Sequence, residues 1–201
     1  MRKTGARLTI AAAFLASSAS AQSAPQAAPL PVAVQITAAV LPLPPEMRAG
    51  ATVLGYDGAA TLSVIRKGTN GMTCLAPDPK RSNFHVACYH ESMEPFMLRG
   101  RELRAQGTAD NQVDTIRFAE AKAGKLVLPK LPASLYSLTG PAGSFDMAAG
   151  EAKGARRLFV VYVPYATAQS TGLSTAPKQG EPWLMMAGTP KAHIMFVGSM
   201  Q

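Results

Sequence analysis

Residues 69–97 read TNGMTCLAPDPKRSNFHVACYHESMEPFM, and the fold class turns on them because the apolar spacing changes here from two to a helical period. Met72-Thr73-Cys74-Leu75 follows the tight-turn pair Asn70-Gly71, and residues 84–89 resume as a strand after the turn-rich 76–83. Alternation along 84–89 puts Phe84, Val86 and Cys88 on one face and His85, Ala87 and Tyr89 on the other. Ser92 then offers a cap for a helix over 93–106, with Pro95 tolerated in its first turn. Met93, Phe96, Met97 and Leu103 form its apolar stripe, and Gly107 ends it.

Toward the N-terminus, 51–56 and 61–66 are β-favouring runs joined by Asp57-Gly58, a hairpin signal. Three antiparallel strands are therefore expected before residue 76. Toward the C-terminus, a second helix is expected over 111–123, capped by Asp110 or Asn111 and stopped by Gly124. The Pro- and Gly-rich stretch 125–154 reads as an ordered loop wrapping the sheet, because its leucines, Tyr136 and Phe145 need burial. Arg157-Leu-Phe-Val-Val-Tyr-Val-Pro164 reads as a central strand, apolar throughout and β-branched. After a polar loop at 166–181, residues 183–186 and 193–197 close the sheet around Gly188-Thr189-Pro190. The expectation is an α+β fold: an antiparallel β-sheet with two helices packed on one face and one disulfide.

Residues 1–21 carry Arg2, Lys3 and Arg7, an apolar run over 8–16 and then Ala19-Ser20-Ala21, the pattern of a secretory signal peptide cut before Gln22. The run is about half of the ~20 apolar residues that cross a bilayer. Residues 22–45 hold six prolines among alanine and valine and read as a Pro/Ala-rich tether, with 32–40 able to pair as an edge strand. Residues 46–201 remain as a single α+β domain of ordinary size. Removing Arg2, Lys3 and Arg7 lowers the formal net charge from +8 to +5. The remaining basic residues are scattered in pairs such as Lys80-Arg81, without the basic stripe and aromatic platform of a nucleic-acid binder.

Cys74 and Cys88 are the only cysteines, and in an exported chain they are expected to form a structural disulfide. They lack the C-x-x-C spacing of a redox pair. His85, His90 and His193 with Met195 are the residues that could make a metal site, copper or zinc, since imidazole and thioether suit such ions. Against this stand the irregular spacing, the opposite strand faces of His85 and His90, and the use of methionine as core filling. His90 is the histidine expected nearest to function: it shares the Cys88 face and precedes Ser92, with Glu91 and Glu94 at hand. Trp183 reads as a buried anchor or, more sharply, as a stacking platform beside Tyr162 and Tyr165. No nucleophile elbow, zincin or phosphate-loop motif occurs, which leaves a triad assembled from distant positions as the only hydrolytic route.

The segments LPLPPEMRAGATVLGY, GTNGMTCLAPDP, FHVACYHESMEPFMLRGREL, SLYSLTGPAGSFD and PWLMMAGTPKAHIMF together resemble an exported bacterial family of unknown function. The resemblance covers nearly all of residues 41–197 and implies a single exported unit, periplasmic or secreted; it places no activity, cofactor or catalytic residue on this chain. The functional expectation is a non-enzymatic exported domain binding a small molecule or envelope partner, with His90, Glu91, Glu94 and Trp183 as ligand-binding candidates. The alternative is an envelope enzyme, hydrolytic or metal-dependent, using His85, His90, Glu91 or His193. No nucleic-acid partner and no membrane span after signal cleavage are expected.

Overall fold

The structure is a computed structural model that describes residues 28–57, 61–178 and 180–200. The signal peptide expected at 1–21, the first part of the expected tether and Gly58 of the expected Asp57-Gly58 turn lie outside the described residues.

The chain forms an α+β fold around one eight-stranded sheet. In chain order its elements are α1 (Val32–Val40), α2 (Pro45–Arg48), β1 (Thr52–Tyr56), β2 (Leu62–Arg66), β3 (Met72–Leu75) and β4 (Phe84–His90). A 3-10 turn (Glu91–Met93) leads into α3 (Glu94–Ala105) and α4 (Asp110–Lys122). There follow β5 (Ala133–Gly140), β6 (Phe145–Asp146), β7 (Glu151–Ala152), β8 (Arg156–Tyr162), α5 (Ala168–Thr171), β9 (Trp183–Met185) and β10 (His193–Met200). The strand order is β2-β1-β3-β4-β5-β8-β10-β9, with β6 and β7 as a separate small ribbon.

The sheet is antiparallel except at β1 and β3, which run parallel with Val53 opposite Cys74, a departure from the three antiparallel strands expected before residue 76. The cause lies in the link 67–71. It passes across the start of β1, where the Thr69 and Asn70 N–H groups donate to the Gly50 carbonyl and the Gly68 N–H donates to Thr52 Oγ1. A Cβ on Gly68 would lie 2.2 Å from the Thr52 nitrogen, so only glycine lets the chain cross there and set β3 on the far side of β1.

Two further expectations are corrected. Residues 125–154 contain β5, a strand hydrogen-bonded to β4 on one side and β8 on the other; Pro132 and Pro141 bracket it, so the prolines mark its ends. Residues 32–40 are the helix α1, not an edge strand, and they belong to the packed unit: Gln35, Ala38 and Ala39 are buried at helical spacing. The carbonyls at 41–43 accept hydrogen bonds from Arg48 and Arg157, so the chain from Pro31 onward is docked where a tether was expected. Here tertiary burial outweighs the strand preference of Val and Ile.

The helices do not all share one side. Ala38, Ala39 and Val40 of α1 pack with Val53, Cys74, Phe84, Val86, Cys88 and Leu138. Phe96 and Met97 of α3 and Phe118 of α4 pack instead with Tyr89, Val160 and Tyr162. Because Cys88 and Tyr89 are adjacent on one strand and point to opposite faces, the sheet is sandwiched between α1 and the α3–α4 pair.

Candidate functional site

On the Tyr89 face, where α3 and α4 stand away from β1–β4, the sheet leaves a cleft of about 520 Å³. Its apolar part is Leu62, Leu75 and Ala87, the last two directly opposite one another on β3 and β4. The polar part comes from Tyr56 at the end of β1, Asp78 and Arg81 in the 76–83 loop, His85 on β4, Arg101 and Arg104 on α3, Asp110 and Asp114 on α4, and Lys191 before β10. A recess of about 450 Å³ beside it shares Tyr56, Leu62, Asp78, Arg101 and Arg104.

Each polar group is held by a traceable contact. Beyond Leu54, β3 no longer flanks β1, and the buried Gln35 side chain takes its place: Nε2 donates to the Tyr56 carbonyl at 2.8 Å and Oε1 accepts from the Tyr56 N–H at 2.8 Å. This amide acts as a surrogate strand that fixes the backbone under the phenol. Gly55 makes room for it, since a Cβ there would lie 2.6 Å from Gln35 Oε1. Burial and the nearby Asp78 push the Tyr56 phenol up to about 12 against the pull of Arg101 and Arg81, so it stays protonated as a donor.

His85 Nδ1 lies 2.8 Å from Thr139 Oγ1 of the neighbouring strand. Burial, helped by the Arg81 cation, lowers the imidazole below its ordinary 6.5, which leaves a neutral ring in the cleft at neutral pH. Arg101 Nη1 donates to the Tyr89 hydroxyl at 2.8 Å and its Nη2 pairs with Glu94. Arg104 Nε is 2.9 Å from Asp110, and Lys191 Nζ is 2.7 Å from Asp114. Burial would raise the Asp114 carboxyl, but hydrogen bonds from Lys191 and Arg117 outweigh it and hold it below the usual carboxylate range. Arg117 is buried, with its guanidinium carbon 3.9 Å from the centre of the Phe96 ring. Gly100 admits it, because a Cβ there would meet Arg117 Nη1 at 2.8 Å.

The residues singled out in the sequence are distributed around the molecule. Cys74 and Cys88 form the disulfide, directly opposite one another on β3 and β4. His90 is the N-cap of the 3-10 turn: its Nδ1 accepts from the Ser92 N–H at 3.2 Å, so the histidine caps, where Ser92 was expected to. Glu91 lies beside it near Gly71. Glu94 turns away to Tyr89 and Arg101, and supports the cleft from behind. His193 is buried with its Nδ1–H donating to the Lys191 carbonyl. Its row in the sheet meets β5 at Ala133, whereas the His85 row meets it at Thr139, roughly 20 Å along the strand at ~3.3 Å per residue. The three histidines are thus not brought together, and Met195 packs into the core with Tyr89 and Val160. Trp183 is buried in β9 opposite Met195, while Tyr162 belongs to the core and Tyr165 is exposed.

Of the sequence candidates for a metal site, His85 alone lines the cleft; an enzyme built on the histidines would rest on it. Among the described residues no group of three or more His, Cys, Asp or Glu is placed to hold a metal ion. No helix among the described residues is long and apolar enough to cross a membrane. Tyr56, Arg81, Arg101 and Lys191 escaped the sequence reading because they lie far apart in the chain. The one signal was the Arg99, Arg101 and Arg104 series on a helix whose other face is apolar.

Comparison of the chain with known protein families, with characterised proteins and with solved structures finds no match in any of the three.

Proposed function

We propose that the chain is an exported, non-enzymatic domain, of a bacterial family of unknown function, that binds a small molecule in the cleft between β1–β4 and α3–α4. The observation that carries the reading is the cleft itself: about 520 Å³ with an apolar floor and polar groups converging from six separate segments. A concave, mostly pre-formed space with a few fixed polar groups is the usual form of a ligand site. Its polar groups are pre-positioned by contacts behind them, Gln35 behind Tyr56, Thr139 behind His85, and Tyr89 with Glu94 behind Arg101. Such preorganisation lowers the ordering cost of binding. The disulfide Cys74–Cys88 suits an oxidising compartment, and with the signal-like residues 1–21 it supports export. The packing of Phe96, Met97 and Phe118 from α3 and α4 with Tyr89 and Val160 supports the expectation of two helices on one face.

A panel of small molecules, screened by native mass spectrometry and thermal shift on the full chain and on Arg101→Gln, tests the reading. A ligand at 100 times its Kd raises stability by about 2.7 kcal/mol, and the shift is expected to vanish in the variant. Ligands that bind wild type and variant alike would move the site elsewhere. Export is checked separately by intact mass: exported protein is expected to begin near Gln22, and retention of residues 2–21 would overturn it.

A further inference from the structure

The charge balance of the cleft narrows its ligand. Four cations line it, Arg81, Arg101, Arg104 and Lys191, against three carboxylates, Asp78, Asp110 and Asp114. Counting Glu94 behind Arg101 and Arg117 behind Asp114 leaves the balance at one positive charge. The pairs Arg104–Asp110 and Lys191–Asp114 are closed. Arg81 is different: its Nε donates to the neutral Asn83 side chain at 3.2 Å, and its two terminal nitrogens have no hydrogen-bond partner among the described residues. Arg101 spends two of its five N–H donors on Tyr89 and Glu94 and keeps the others.

Resting on the small-molecule reading above, we infer that the cleft takes an organic monocarboxylate, its carboxylate held by Arg81 and Arg101 beside Tyr56 and His85. The apolar part of the ligand lies on Leu62, Leu75 and Ala87. A guanidinium presents paired N–H donors that match the two oxygens of a carboxylate. One excess positive charge neutralises a monoanion. A dianion such as a phosphate monoester would exceed the single positive charge by one and set the excess against Asp78. A neutral ligand would cover the Arg81 guanidinium without compensating its charge.

Three probes that share one ring separate these cases: benzoate, benzamide and phenyl phosphate, titrated calorimetrically into the full chain while the His85 ring and nearby amides are followed by NMR. Benzoate is expected to perturb His85 and Tyr56 saturably, with benzamide and phenyl phosphate at least ~10-fold weaker. Arg81→Gln is expected to weaken benzoate ~10-fold or more, and Arg81→Lys by less, as for loss of a charge-assisted pair. Arg81 is exposed, so both variants are expected to fold, with unchanged amide dispersion as the check. Equal binding of benzamide or phenyl phosphate at His85 overturns the carboxylate assignment while the small-molecule reading stands. Perturbation by none of the three overturns it as well, and the panel described above then judges the small-molecule reading by itself. Benzoate binding that is indifferent to Arg81→Gln also overturns it.

Discussion

Against one face of the sheet lie Ala38, Ala39 and Leu43, all without exposure, meeting Val53, Cys74 and Cys88 that are equally closed. Against the other stand Arg101 with Glu94, Arg117 and Lys191 with Asp114, and Arg99 with Glu120. Gln35, the buried polar residue of α1, is neutral and satisfies both ends of its amide. On the second face the buried Arg117 leaves its Nε without a partner among the described residues. Small apolar side chains allow close approach and fill space, whereas ion pairs are long and directional and hold elements apart. Close apolar packing is therefore concentrated under α1, and the cleft proposed for binding lies under α3 and α4, where elements are held apart.

The most severe way to break this division is to remove the disulfide. Cys74 and Cys88 close a loop with a sequence separation of 14, and Cys74→Ala with Cys88→Ala is expected to cost about 3 kcal/mol on loop entropy. Urea unfolding measures it; a change under ~1 kcal/mol would show that α1 packing alone carries this face. Next comes Gln35→Leu, which keeps the volume but leaves the Tyr56 N–H and carbonyl without partners. About 2 kcal/mol of destabilisation is expected from unsatisfied buried groups. Unchanged stability would mean that the end of β1 does not depend on α1.

Acid sharpens the comparison with a smaller effect, confined to the other face. His85 and His193 both titrate below their ordinary 6.5 in the fold, chiefly through burial. The Arg81 cation adds to it for the first, while for the second the hydrogen bond to the Lys191 carbonyl opposes it and the Lys191 cation adds a smaller push downward. The unfolded chain then binds more protons than the folded one at pH values below about 6.5, so stability is fully present above that pH and falls as pH drops through it. Asp114 is held low, so its contribution persists until the usual carboxylate range is reached. Tm is expected to be flat at neutral pH and to decline from about pH 6.5 downward, with a shallower decline in His85→Gln. An unchanged slope in that variant would show that His85 stays hydrated in the fold.

Much of the fold could be read from local pattern, and the failures share a cause. The hairpin of β1 with β2, the strand 84–89, both long helices and the strand at 157–164 each announce themselves by spacing and turn residues. β5 was concealed because LPKLP and GPAG flank it, and prolines that bracket a strand look in sequence like prolines that forbid one. α1 was concealed because nothing local tells VAVQITAAV that Gln35 will find Tyr56, 21 residues on. The disulfide needed only the count of two cysteines and the expectation of export. The cleft needed distances between segments, so Arg81, a solvated basic residue by local pattern, proves to line it together with His85.

Both sulfurs of the bridge are without solvent exposure, and Cys88 Sγ lies 3.2 Å from the Ala39 carbonyl of α1. An incoming thiolate can reach them only when that helix lifts. Reduction is therefore gated by detachment of residues 32–40, and its rate in excess dithiothreitol serves as a clock for that opening. In a mildly reducing setting the bridge persists for as long as the helix stays seated, a kinetic guard supplied by residues that carry no sulfur.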